Sequence, residues 1–282
     1  MLIHDSYGKS HVRLTKVTRL GDRHELKELD VAIELEGDFA ASYTQGDNSQ
    51  VIATDSMKNT VYVLARNHPL ESIEDFARSL ARHFVDRYPQ VEKSTVRISE
   101  QAWQRMHIDG KPHSHAFVSG GNEQRTCMAH VPRGADEIVA SGISDLLVLK
   151  TTDSAFKDFV SDEFRTLPDT EDRIFATIVK VHWIYSDYNV DWNAQFAAAR
   201  EAILTTFAKH YSLAVQQTLL AMGEAVLAAC PAVERVNLTL PNQHRIPFNL
   251  EPFGLDNPNV IFVPTTEPHG LISGSVVRDK LP

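Results

Sequence analysis

The decapeptide PQVEKSTVRI, running from Pro89 to Ile98, returns as PAVERVNLTL from Pro231 to Leu240, with proline, valine, glutamate, a basic residue and two aliphatics in register. The two copies lie about half of the 282-residue chain apart. Upstream of the first copy, His11 to Leu20 and Leu29 to Phe39 carry alternating apolar residues, Val12 and Leu14 in one, Val31, Ile33 and Leu35 in the other. That period of two is the signature of strands with one buried face. From Ser72 to Tyr88 the period becomes helical, with Ile73, Phe76, Leu80 and Phe84 on one stripe and Ser72 and Asp75 spaced as a capping pair. Pro89 stops this helix, and strand-like runs follow at Thr95 to Ser99 and at His115 to Val131, the latter broken by Gly120 and Gly121.

The surroundings of the second copy repeat the order. Asp145 to Lys150 and Ile174 to Tyr185 read as strands, and helix-period sequence runs from Asp191 to about Ala229. Within it Phe196, Ile203 and Phe207 share one stripe and Leu213, Leu220 and Leu227 another, before Pro231 and the strand Val236 to Leu240. The order strand, strand, helix, strand, strand thus occurs twice. The fold class is α+β, with two related halves set at residues 1–135 and 136–282, each pairing an antiparallel sheet with helices on one face. Six of the 13 prolines fall between Pro241 and Pro268. Loops rather than long paired strands are expected there.

Composition bounds the function. With 43% hydrophobic and 23% charged residues the chain reads as an ordinary globular protein. It shows neither a membrane-length apolar run nor a secretion signal, so a cytoplasmic location is expected. The formal charge of −9 and the lack of any basic block disfavour nucleic acid or a membrane surface as partner, while leaving room for a small anion held by one or two placed cations. Cys127 and Cys230, far apart and outside any Cys-x-x-Cys spacing, read as reduced, buried thiols.

No isolated motif identifies an activity. Gly8-Lys9-Ser10 lacks the leading glycine of a phosphate loop, and His24-Glu25 lacks the second histidine of a zinc-protease helix. His113 and His115 could put two imidazoles on one side of an extended segment, but a polar loop is the plainer reading. Gln216 falls on the face of Leu213 and Leu220, where a buried amide needs a partner, within the protein or outside it. Thr54-Asp55 reads locally as a helix cap, and Asn242-Gln243-His244 as a turn. Arg173 could pair with Asp169 or Asp172, and Phe156 could be core.

Taken together, the segments resemble the urate oxidase (uricase) family. The resemblance runs through YGKSHVRLTKV at Tyr7, GDNSQVIATDSMKNTVYVLAR at Gly46, LLVLKTTDSAFKDF at Leu146, DRIFATIV at Asp172, LAVQQTLLAMGEAV at Leu213, LTLPNQHRIPFNL at Leu238, FGLDNPNVIF at Phe253 and PHGLI at Pro268. It implies two tandem tunnelling-fold repeats and a homotetramer in which sheets of neighbouring subunits close into a barrel, with active sites between subunits. It implies that urate stacks on Phe156 and is held edge-on by Arg173 and Gln216, with the backbone of Val215 and Thr54 completing the purine's hydrogen bonds. Lys9, Thr54 and His244 resemble the family's proton relay; Asn242 helps hold dioxygen or water over the ring, and Asp55 orients its neighbours.

The implied reaction is oxidation of urate by O2 and water to 5-hydroxyisourate and hydrogen peroxide with no metal or organic cofactor. A lysine near its ordinary pKa of about 10.4 is protonated at neutral pH, so a relay through Lys9 calls for burial or a cationic neighbour. The sequence departs from the family's usual Asn-Lys-His at Asn242-Gln243-His244, and Arg245-Ile246-Pro247 replaces a more aromatic stretch. The competing readings are a non-catalytic purine-binding homologue and a metal-dependent pterin enzyme of the same broad fold using His113 and His115. Lys280-Leu281-Pro282 is not the Ser-Lys-Leu address of eukaryotic members, which agrees with the cytoplasmic expectation.

Overall fold

The alternation of Leu29, Val31, Ile33 and Leu35 puts four fully buried side chains on one face of a strand, and a helical layer covers that face. In the computed structural model, which describes residues 2–278, the strand is β2 (Arg23–Gly37), paired antiparallel with β1 (Tyr7–Leu20) on one side and β3 (Val91–Ile108) on the other. β3 pairs in turn with β4 (Lys111–Pro132). The Gly120-Gly121 break is a bulge: the register jumps between Gln101 and Trp103, and Gly121 has φ +100°. Short α1 (Ala40–Thr44), α2 (Thr54–Asn67) and α3 (Ile73–Arg87) follow β2.

α3 begins where the capping pair predicted, since the Ser72 side chain accepts from the Asp75 N–H. Its stripe of Ile73, Phe76, Leu80 and Phe84 is fully buried against the sheet residues Val31, Ile33, Val96 and Ala129. Cap chemistry at α2 is different from the expectation. Ala53, not Thr54 or Asp55, occupies the cap position, and no side chain bonds there; Asp55 stands in the first turn.

The chain divides into two compact units, one holding the residues up to Ile143 with Ile184–Asn193, the other Ser144–Trp183 with Ala194 onward. β5 (Ile138–Lys150) and β6 (Phe175–Tyr185) each run across the division. In the second unit α4 (Trp192–Lys209, from Ala194) and α5 (Val215–Ala229) replace the single helical run expected from the sequence, interrupted at residues 210–214. β7 (Val233–Pro241) follows, then a two-stranded ribbon of β8 (His244–Pro247) and β9 (Phe262–Thr265), and β10 (Leu271–Val277). The short, proline-bearing ribbon suits the expectation of loops, but β10, which starts after Pro268, pairs with β7 over seven residues.

The α4 stripe is as predicted, with Ile203 and Phe207 buried and Phe196 partly so. The stripe expected for α5 holds only at Leu227. Leu213 and Leu220 are about half exposed, and the buried face is Val215, Thr218, Leu219, Met222, Val226 and Leu227. Among the described residues no helix is long and apolar enough to cross a membrane. Cys127 and Cys230 are free and buried, and burial pushes both thiols up. The Lys280-Leu281-Pro282 end lies outside the described residues.

Candidate active site

The sequence-predicted residues gather into two groups, one in each unit. In the first unit Lys9 is half-buried in β1, opposite Ile33. Gly8 sets its approach, because an added Cβ there would lie 1.8 Å from the Ile33 carbonyl oxygen. Immediately beyond, the register shifts and His11 takes φ +55°. The Tyr7 hydroxyl accepts from the Ile52 N–H at 2.8 Å, which ties the Val51–Ala53 segment to β1 beside Lys9. Thr54 then opens α2, half-buried. The first N–H to find a helical acceptor is that of Met57, bonded to Ala53 O, so those of Thr54, Asp55 and Ser56 have none within the helix. Asp55 is exposed and accepts from Lys58 Nζ and Asn59 Nδ2; the Lys58 bond foremost, with a smaller contribution from Lys9, holds its carboxyl below the usual range.

In the second unit, backbone bonds lace three loops together. Ala155 N–H donates to Ser212 O, Ser212 N–H to Asp153 O, and Arg173 N–H to Ser154 O, while Phe156 and Thr170 exchange both of their backbone bonds. Phe156, Arg173 and the Ser212–Val215 turn into α5 are thereby fixed to one frame. The Phe156 ring is not core: it is half-exposed, stacks on Phe159 with centroids 4.6 Å apart, and lies under the Arg173 guanidinium, whose Cζ is 4.9 Å from the ring centroid.

Arg173 pairs with neither aspartate that sequence proximity offered it. Asp169 binds Arg165 at 2.7 Å, and Asp172 binds the Thr152 hydroxyl and the Ser154 N–H. Arg173 Nε is buried with no partner among the described residues. Burial lowers the pKa of this guanidinium, which stays a cation.

Phe156 and Arg173 line a cavity of about 550 Å³ together with Asn242 and His244. Asn242 bridges Thr177 across the strands, and its N–H donates to Gly270 O; the Thr177 hydroxyl donates to Pro241 O. Gln243 is buried, with its N–H on Ala176 O. His244 then starts the β8–β9 ribbon opposite Thr265. The expected turn is thus a strand-to-ribbon crossing with both faces of its backbone engaged.

Gln216 corrects the sequence reading. It is exposed in the first turn of α5, not buried among leucines, because the face it shares with Leu213 and Leu220 points away from the sheet. Val215, the residue before it, is buried, and the first helical N–H with an acceptor is that of Thr218 on Ala214 O. Val215 and Gln216 therefore present N–H groups that the helix leaves unbonded, as Thr54 does at α2.

His113 and His115 sit in β4 rather than in a loop, with ring centroids 4.7 Å apart and His113 Nδ1 accepting from the His115 N–H. Among the described residues no group of three or more His, Cys, Asp or Glu could hold a metal ion. Arg245 is among the lining residues to which sequence reasoning gave no role; its Nη1 donates to the carbonyls of Gln243 and His244. Its only sequence signal was a cation where an aromatic residue was expected.

A protein-family model described as Uricase matches residues 5–130 and 139–273. The uricase of Arthrobacter globiformis is 40% identical over 275 residues, spanning 98% of this chain and 89% of that protein. The uricase of Dictyostelium discoideum is 37% identical over 280 residues, covering 98% and 97% respectively. The crystal structure of uricase from Arthrobacter globiformis aligns with a TM-score of 0.94 at 40% identity, over 100% of this chain and 96% of that one. A uricase from Bacillus fastidious shares the fold at 22% identity, with a TM-score of 0.84 over 97% and 93%.

Proposed function

The chain belongs to the uricase family, and we propose that it oxidises urate with O2 and water to 5-hydroxyisourate and hydrogen peroxide, without metal or organic cofactor. The observation that carries this reading is the Phe156–Arg173 pair on one wall of a cavity that also holds Asn242 and His244. A flat, electron-rich purine anion matches an aromatic face bordered by a guanidinium whose Nε lacks a partner among the described residues.

Arg173 grips one edge of the ring, Gln216 offers a carboxamide donor and acceptor from its exposed position, and the Val215 and Thr54 N–H groups supply further donors. Lys9, Thr54 and His244 pass protons, with Asp55 orienting the α2 end. Asn242 holds dioxygen or water over the ring. Urate loses two electrons to O2, which takes up two protons to leave as H2O2, and water supplies the new hydroxyl at the purine's C5. A urate dianion reduces oxygen by its own electron density, so the protein's work is deprotonation, positioning and electrostatic stabilisation.

The same reading takes the chain as two tunnelling-fold repeats, residues 1–135 and 136–282. The matched burial of Val91 and Val233, Val96 and Leu238, and Ile98 and Leu240 supports it. It also takes the working enzyme as a cytoplasmic homotetramer with sheets closed into a barrel and active sites between subunits. The exposed apolar Leu147 and Leu149 of β5 offer sheet surface for such an assembly.

The test is oxygen uptake and peroxide formation when urate is added to chelator-treated protein in air. Stoichiometric uptake with loss of urate is the expected result. Binding of urate without oxygen uptake would instead establish the purine-binding homologue.

A further inference from the structure

Two guanidinium groups line the second-unit cavity, and only Arg173 has been given a role. Arg245 stands on the ribbon strand β8, directly after His244 and half-buried. Its Nη1 donates to both the Gln243 and the His244 carbonyl oxygens, each at 3.0 Å. These carbonyls belong to the stretch that carries Asn242 and His244 across from β7 to the ribbon. One nitrogen of Arg245 therefore closes a short ring over the backbone of that stretch, in a residue that also lines the cavity.

Charge around the cavity is unbalanced. Among the described residues Asp172 is the single carboxylate in its lining, and its two oxygens are taken by the Thr152 hydroxyl and the Ser154 N–H. Among the described residues neither Arg173 nor Arg245 has a carboxylate ion-pair partner, and the remaining titratable side chain of the lining is His244. Two partly desolvated cations facing one carboxylate favour an anionic occupant, since a charge-assisted hydrogen bond to an anion offsets desolvation that a neutral ligand leaves uncompensated.

We propose that Arg245 is a positioning and specificity-determining residue: it fixes the Asn242–His244 stretch through Nη1 and supplies the second positive charge by which the cavity selects anionic over neutral purines. The inference rests on the urate-oxidising reading of this cavity and names a residue that reading leaves out.

The experiment separates charge from tether. Arg245→Gln keeps an amide donor and removes the charge; Arg245→Lys keeps the charge and loses the planar fork. Urate affinity is measured by calorimetry without oxygen for wild type and both variants, with hypoxanthine as the neutral purine and circular dichroism as the check of folding. Arg245→Gln is expected to weaken urate by about tenfold or more while hypoxanthine moves by less than about twofold, and Arg245→Lys to stay close to wild type. In air, Arg245→Lys is expected to lower kcat with KM little changed, as loss of the tether would do. Equal losses of urate affinity in both variants, or none in either, would overturn the proposal. Should Arg245→Gln fail to fold, Arg245→Met provides the neutral variant with the same expected loss. The wild-type arms test the underlying reading separately: urate binding without turnover removes the oxidase and leaves the charge comparison standing, whereas no urate binding removes both.

Discussion

The Arg173 guanidinium lies over the face of Phe156, Cζ to centroid 4.9 Å, and the backbones of both residues are bonded to one loop frame through Ser154 and Thr170. The pair is thus prearranged rather than assembled by a ligand. Among the described residues Arg173 has no ion-pair partner, so its burial carries an uncompensated cost that a bound anion would remove.

Replacing Arg173 with alanine is accordingly expected to raise KM for urate by roughly 10²-fold, the loss of a bidentate charged contact in a partly dry site. Arg173→Lys restores the charge but not the fork and should recover a minor part of the loss. Steady-state kinetics check both; a KM equal to wild type in Arg173→Ala would remove the assigned role.

Lys9 should act on rate rather than binding. It stands half-buried beside the segment that Tyr7 anchors, close enough to Asp55 to contribute to holding that carboxyl ionised. Lys9→Ala is expected to lower kcat by about 10² to 10⁴ with KM within a few-fold, the range for removal of a proton-transferring group. Unchanged turnover would take it out of the relay.

Gly8 gives a test of position without a change of chemistry. An alanine Cβ would fall 1.8 Å from Ile33 O and 3.0 Å from Glu34 Cα, both backbone atoms that can yield only if β1 shifts against β2. Gly8→Ala should cost about 1–3 kcal/mol of stability and lower kcat by displacing Lys9. A variant with wild-type Tm and wild-type kcat would show that β1 absorbs the methyl group without moving its lysine.

The β2 alternation and the α3 stripe were legible because a period of two or of 3.6 is imposed by the core itself, and the Ser72–Asp75 cap because the chemistry is local. Gln216 was misread for a physical reason. Leu213 and Leu220 extend an apolar helical pattern whose outer face the sheet of this chain does not cover, so periodicity pointed to burial where the structure has exposure. The break at residues 210–214 was missed because neither Gly nor Pro marks it; Ser212 leaves the helix to bond Asp153 and Ala155, partners nearly sixty residues away. Arg245 escaped for a different reason: its carbonyl acceptors are its own neighbours, and nothing in a tripeptide shows that they border a cavity.

Acid should destabilise the protein in a window set by histidines before carboxylates take part. Burial depresses the pKa of His68, His83 and His182, with Arg87 adding to the effect at His83 and Lys180 at His182. His68 Nδ1 also accepts from the Leu70 N–H, and a protonated ring has no lone pair there to accept with. In the unfolded chain these rings titrate near 6.5, so just below that pH the unfolded state takes up protons that the folded state refuses. The histidine contribution is therefore fully present above about pH 6.5 and is lost as pH falls through the lower folded values. Glu34 and Asp55, held down by Arg97 and Lys58, respond only below about pH 4.5, which separates the two windows. Calorimetric Tm values taken from about pH 7.5 to about pH 5.5 should fall as pH falls, and His83→Gln should make the fall shallower. A Tm that is flat or rises over that interval would mean that the three rings are protonated as readily in the folded protein as outside it.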